Sequence, residues 1–235
     1  MGLFIGLLIC GVVVVGACNQ VQPETFSLAV VGPMTGSNRA LGEDMLRAAN
    51  LYANELNDAG GVQGRLVEVV SYDDQNDPEL AVVCAREVVA SDALAVIGHR
   101  SSSTSIAAGD IYEDAGLVMI TGSATANEVT RGNRYAFRTV FNNDTQGDFL
   151  ARYSYRILEQ GSVHIVTDGS VYGNSLADAF SSRFRAVGGR VTSYHLLTEG
   201  NDAIRTLAQQ FVSHAVTSDA VTSTSSDNSS ESGTL

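Results

Sequence analysis

Lysine is absent from this 235-residue chain: all 14 basic residues are arginine, set against 26 acidic ones, and the net charge is -12. An acidic surface of this kind argues against nucleic acid or an anionic membrane face as a partner. Without lysine there is no Gly-x-x-x-x-Gly-Lys phosphate loop, and neither a Gly-x-Ser-x-Gly nucleophile elbow nor a metal motif occurs. The four histidines, His99, His164, His195 and His214, are scattered and pair with no cysteine, which excludes a zinc cluster of the usual spacing. Asp73-Asp74 is a carboxylate pair, but neighbouring residues at a strand end point to opposite sides, the wrong arrangement for a catalytic couple. What remains is binding rather than catalysis: no enzyme, no cofactor and no metal are expected.

Cysteine is almost as scarce. Cys10 lies inside an apolar run from Leu3 to Ala17, Cys18 closes that run, and Cys84 stands far downstream. The run is shorter than the roughly 20 residues that span a bilayer, so a cleaved signal peptide fits better than a permanent anchor. Val15-Gly16-Ala17-Cys18 resembles a lipobox, although Met1 to Gly6 lacks the usual Lys or Arg. Residues 1–17 are therefore expected to be a lipoprotein signal peptide, and residues 18–25 a lipidated Cys18 followed by a polar tether. That places the protein in the periplasm or at the cell surface, anchored to a membrane through its lipid. Cys84 is then alone, with no disulfide available, and Val83 and Val88 beside it suggest a buried helix face.

From Phe26 onward strand and helix signals alternate. Strands are predicted at Phe26–Val31, Leu66–Tyr72, Ala93–Ile97, Leu117–Thr121 and Ala136–Val140. Between them the spacing predicts helices over Glu43–Ala59 (Met45, Ala49, Tyr52 and Leu56 on one face), from Asp77-Pro78 to about Ala90, and over Ser102–Asp114. A capping aspartate followed by proline makes the second of these starts explicit. A second series follows: helix Thr145–Gln160, strand Val163–Thr167, a helical stripe of Leu176, Phe180, Phe184 and Val187, strand Arg190–Leu196 and helix Asp202–Val212. Such alternation implies an α/β fold with parallel sheets flanked by helices. Two series joined near Phe141–Asp144 suggest two lobes, at residues 26–141 and 142–221. Residues 222–235 form a polar tail too poor in apolar side chains to offset its ordering entropy, so the second lobe reads as incomplete.

Open parallel sheets bind ligands beyond the carboxyl ends of their strands. Two loops there carry suitable residues: Gly98-His99-Arg100-Ser101-Ser102-Ser103-Thr104-Ser105 and Thr121-Gly122-Ser123-Ala124-Thr125. Hydroxyls and backbone N–H groups at a helix start hold a small anion, such as an amino-acid carboxylate, without a formal charge. Serine and threonine are also ordinary helix caps, and the residues alone leave that alternative open. A third loop, Asp168-Gly169-Ser170-Val171-Tyr172-Gly173, would face the same cleft from the other lobe.

These stretches resemble the periplasmic branched-chain amino-acid-binding proteins of ABC importers, of the type I periplasmic-binding fold. The matching segments are Val30-Val31-Gly32-Pro33-Met34-Thr35-Gly36, Gly60-Gly61-Val62-Gln63-Gly64, Tyr72-Asp73-Asp74, Val96-Ile97-Gly98-His99 with its serine run, and Asp110-Ile111-Tyr112-Glu113-Asp114. Met119-Ile120-Thr121, Ser123-Ala124-Thr125 and Tyr172-Gly173 continue the match in order. The resemblance implies a substrate-binding protein that captures an amino acid, of branched-chain type, and delivers it to an ABC permease. It also implies a carboxylate site at Ser102 and the Ser123-Ala124-Thr125 loop, with Tyr172 as the aromatic that closes the cleft. The alternative is a sensory module of the same fold serving a membrane receptor.

The chain departs from that family in several places. Ser123 stands where the best-known members have alanine and use its backbone. Leu41 occupies a position that is often aromatic. Asn76 and Ser101 replace both halves of a disulfide present in some members, a paired loss. Arg100 stands where an apolar residue is common; a cleft arginine is able to bind a second carboxylate, which would favour an acidic ligand, and the alternative is a surface arginine pairing across the lobes. Family members also continue beyond this length, and the carboxylate that holds the ligand ammonium falls in that further part, so the resemblance implies C-terminal truncation.

Overall fold

A computed structural model describes residues 24–197 and 204–209. The expectations placed on the signal peptide, Cys18, the polar tail and both ends of the last helix lie outside these residues; 204–209 are helical, within the predicted helix.

Five strands form one parallel sheet: β1 (Thr25–Gly32), β2 (Leu66–Asp73), β3 (Ala93–Gly98), β4 (Val118–Thr121) and β5 (Ala136–Arg138), in the order β2-β1-β3-β4-β5. The helices between them are α1 (Arg39–Asp58), α2 (Pro78–Val89) and α3 (Ser102–Ala115). A crossover between parallel strands is right-handed. The chain steps outward from β1 through α1 to β2, then back across β1 through α2 to β3, so α1 lies on one face and α2 and α3 on the other. The core on the α2/α3 face holds Ala29, Val31, Cys84, Ala85, Val88, Val96, Tyr112 and Met119. Val30, fully buried and of opposite pleat, belongs to the α1 face.

The predicted helix starts follow from local chemistry. Asp77 caps α2, its carboxylate accepting the N–H of Glu79 at 2.7 Å and of Leu80 at 3.1 Å, with Pro78 in the first turn. Ser101 caps α3 and Gly116 ends it in the left-handed conformation. The predicted face of α1 needs one correction. Tyr52 is 63% exposed, and Ala53 takes the buried position instead. α1 approaches the chain through small residues: a Cβ on Gly42 would collide with the Pro33 carbonyl, so helix and loop pack closer than a larger side chain permits.

The second series forms α4 (Asn143–Arg156), β6 (Ser162–Thr167), α5 (Val171–Ala186) and β7 (Arg190–Leu196). β6 and β7 pair in parallel as a second sheet, and α4 packs along α5. The connection from β5 to α4 carries the chain from one sheet to the other near Phe141.

Candidate functional site

In the first sheet the strand order reverses between β1 and β3. This is a topological switch point, where the connections leave to opposite faces and open a crevice. The residues that follow β3 and β4 fill that crevice. A cavity of about 520 Å³ lies there, bounded on one side by Arg100, Ser101, Ser102, Ser103, Ser123 and Thr125. Asp168, Ser170, Val171 and Tyr172 bound it from the second sheet, with Phe141 and Gln146 at the crossing and Asn38 and Asn76 at the rim. Five of the six predicted site residues thus meet: Arg100, Ser102, Ser123, Thr125 and Tyr172. The sixth, Ala124, does not reach the cavity. It is 1% exposed and packs in the core, its N–H donated to Thr121 Oγ1 at 3.1 Å and its carbonyl accepting from Arg138 Nη1 at 3.1 Å. A buried methyl in the middle of the loop fixes the residues on either side of it.

The cavity presents groups that suit an anion. The first turn of α3 leaves the N–H groups of Ser102 and Ser103 without intrahelical acceptors, and the helix dipole puts partial positive charge there. Ser102 Oγ braces the facing loop by accepting the Ala126 N–H at 3.2 Å. Thr125 is 8% exposed, and its Oγ1 is buried with no partner among the described residues. An unpaired buried hydroxyl costs roughly 1–3 kcal/mol, and a ligand oxygen in this cavity is one group able to offset that cost. The Ser123 N–H, expected to serve the ligand, instead donates to Thr121 Oγ1 at 3.3 Å, while its hydroxyl donates to the Arg100 carbonyl at 2.7 Å. From the second sheet α5 also aims its N-terminus at the cavity, capped by Ser170, whose Oγ accepts the Gly173 N–H at 2.9 Å. The hydroxyl and N–H of Ser170 hold the Asp168 carboxyl below the usual carboxylate range. Tyr172 is 41% exposed at the start of α5.

Sequence reasoning missed three supports of this cleft. His99 is fully buried, with Nδ1 at 2.7 Å from Asp74 Oδ2 and Nε2 at 3.1 Å from the Tyr112 hydroxyl. Its carbonyl accepts from Ser105 Oγ at 3.2 Å and Thr121 Oγ1 at 2.8 Å, tying the two binding loops together. Arg138 grips the second loop from behind through the carbonyls of Ala124 and Ala126 and the hydroxyl of Thr130. Asn143, also fully buried, donates its N–H to the Thr125 carbonyl at 2.9 Å and its Nδ2 to the Tyr172 carbonyl at 3.2 Å. It therefore joins the two sides of the cavity. The Asp73-Asp74 pair divides as strand alternation requires. Asp74 turns inward to His99, and Asp73 holds the loop after β1 by accepting the Met34 N–H at 2.7 Å and the Thr35 N–H at 3.2 Å. Burial works to raise the Asp73 carboxyl, but hydrogen bonds from Thr35, Gln75 and Met34 outweigh it and hold the group below its usual value.

A switch-point crevice between two parallel sheets, lined by helix N-termini and hydroxyls, defines a small-molecule-binding protein of the cleft type. Residues 25–230 match the family described as periplasmic binding protein, and the chain belongs to it. It is 37% identical over 175 residues to an amino acid binding protein of Pseudomonas aeruginosa, covering 74% of this chain and 47% of that one. It is 34% identical over 201 residues to the Leu/Ile/Val-binding protein of Escherichia coli, covering 85% and 55%. Among solved structures, a branched-chain amino acid transporter substrate-binding protein of Streptococcus pneumoniae, in complex with isoleucine, superposes with TM-score 0.69 at 27% identity, covering 76% and 51%. The chain thus spans about half the length of the relatives it matches. The fold is that of the type I periplasmic binding proteins, whose members bind ligands rather than transform them. Those relatives are extracytoplasmic, and no helix among the described residues is long and apolar enough to cross a membrane.

Proposed function

We propose that this chain captures an amino acid outside the cytoplasmic membrane and delivers it to an ABC permease. The ligand α-carboxylate docks at the α3 N-terminus on Ser102 and at Thr125, with Ser123 shaping the loop between them. Tyr172 covers the ligand side chain from the second lobe. The observation that carries this reading is the buried, unpartnered Thr125 hydroxyl beside a helix N-terminus in the inter-sheet cavity. Two relatives support it by their names, one for amino acids and one for leucine, isoleucine and valine. Branched-chain amino acids are accordingly the reference ligands. The apolar run ending at Ala17-Cys18 supports a lipid on Cys18 as the membrane anchor. Isothermal titration of the purified chain with leucine, isoleucine, valine and acidic amino acids tests the reading: saturable heat with at least one of them is expected. No heat with any amino acid would contradict it.

A further inference from the structure

We propose that Arg100 recognises a second anionic group on the ligand, so that the preferred ligand class is an amino acid with an acidic side chain. This inference rests on the amino-acid-binding reading above and names the substrate class of that same cleft.

Three observations support it. Arg100 lines the same cavity as Ser102 and Thr125, half-buried, two residues beyond the end of β3. Its guanidinium has no ion pair or hydrogen bond with any described residue, whereas Arg138, the other arginine near these loops, is fully engaged with carbonyls and a hydroxyl. Its position is also fixed, because the Arg100 carbonyl accepts from Ser123 Oγ at 2.7 Å. A second fixed reference lies beneath it: a Cβ on Gly32 would stand 3.9 Å from Arg100 Cβ and 3.6 Å from Met45 Sδ, so the arginine stem rises from a closely packed floor. A guanidinium presents five N–H donors in a planar fork that matches a carboxylate with two parallel hydrogen bonds. Leaving such a group in a closing cleft beside an aliphatic ligand side chain would strip its water and return nothing. A carboxylate there supplies the missing acceptor. The N-termini of α3 and α5 converge on the same space and add to its preference for negative charge.

Asp168 is the one carboxylate among the residues bounding this cavity, and it stands on the opposite wall. The competing possibility is that Arg100 pairs with Asp168 as the lobes close and never meets the ligand.

The test is isothermal titration of the purified chain, wild type and Arg100→Met, with glutamate, glutamine and leucine. Glutamine matches glutamate in shape and lacks only the charge. Wild type is expected to bind glutamate roughly tenfold or more tighter than glutamine. Arg100→Met is expected to abolish that preference while leaving glutamine binding within about twofold and the melting temperature unchanged. Wild type that binds leucine or glutamine at least as well as glutamate, with no change in selectivity in Arg100→Met, overturns the assignment and leaves the amino-acid reading intact. Loss of all three ligands in Arg100→Met at unchanged stability points to a lobe-closing pair with Asp168, and also overturns it. Wild type that binds no amino acid overturns both readings together.

Discussion

Replacing Thr125 by valine separates binding from stability. The two side chains have nearly the same shape, and the only chemical change is a methyl for a hydroxyl. The hydroxyl is buried and has no partner among the described residues, so its removal costs the empty protein no hydrogen bond there. An unsatisfied buried hydroxyl costs roughly 1–3 kcal/mol, and its removal is expected to stabilise the unliganded protein by about 1 kcal/mol. For a chain of this size that raises the melting temperature by about 2–4 °C. Ligand binding moves the other way. A hydrogen bond to a charged carboxylate contributes about 1.5–3 kcal/mol, so affinity for the amino acid is expected to fall about 10- to 150-fold. Differential scanning calorimetry without ligand, paired with isothermal titration, reads both quantities. A Thr125→Val protein that melts lower and binds unchanged would refute the reasoning, because the hydroxyl would then be a structural group.

Other expectations follow from the same geometry. His99→Leu removes the buried partner of Asp74 Oδ2 and of the Tyr112 hydroxyl and is expected to destabilise by ~1–3 kcal/mol in urea denaturation, the cost of leaving a buried polar group without its hydrogen bond. Asp77→Ala removes the cap of α2 and is expected to cost ~1 kcal/mol with ligand affinity unchanged, by the same denaturation assay. The Cys84 thiol is pushed up to about 11 by burial and then by the nearby Asp74 charge. Iodoacetamide at pH 8 is therefore expected to leave Cys84 unmodified in the native protein and to label it in urea, as read by mass spectrometry of its peptide. Asp73 and Asp168 both have folded values below their ordinary ones, so their contribution to stability is present above the unfolded value and is lost as the pH falls through the folded one. The melting temperature is expected to hold down to about pH 4 and to decline below it, less steeply in Asp73→Asn.

Much of the architecture was legible because local chemistry and global topology agree. Asp77-Pro78, Ser101 and Gly116 mark the ends of α2 and α3 by mechanisms that operate within one helical turn. Period and glycine punctuation delimit the strands. Where reasoning from periodicity failed, small residues were responsible. On α1 the buried positions are Gly42 and Ala53, and Tyr52, one residue out of phase with Ala53, faces solvent. In the cleft, Ser102, Ser123 and Thr125 were readable as hydroxyls beyond strand ends. Ala124 looked like part of the site because it lies between two of them, yet the loop turns its methyl inward. The supports were not readable. Asp74, His99 and Tyr112 are separated in sequence by 25 and 13 residues and meet only because β2 and β3 flank β1. Arg138 and Asn143 likewise act through backbone carbonyls, which carry no sequence signature.

In the proposed function, the cleft grips an amino acid by its α-carboxylate. The most direct test is to titrate the purified chain with its tightest amino-acid ligand and with that ligand's α-carboxamide, identical except for the charge and one oxygen. Saturable binding of the acid and a loss of at least about tenfold for the amide are expected, since the α3 N-terminus and Thr125 favour an anion. Equal affinity for the two, or heat from neither, would contradict it.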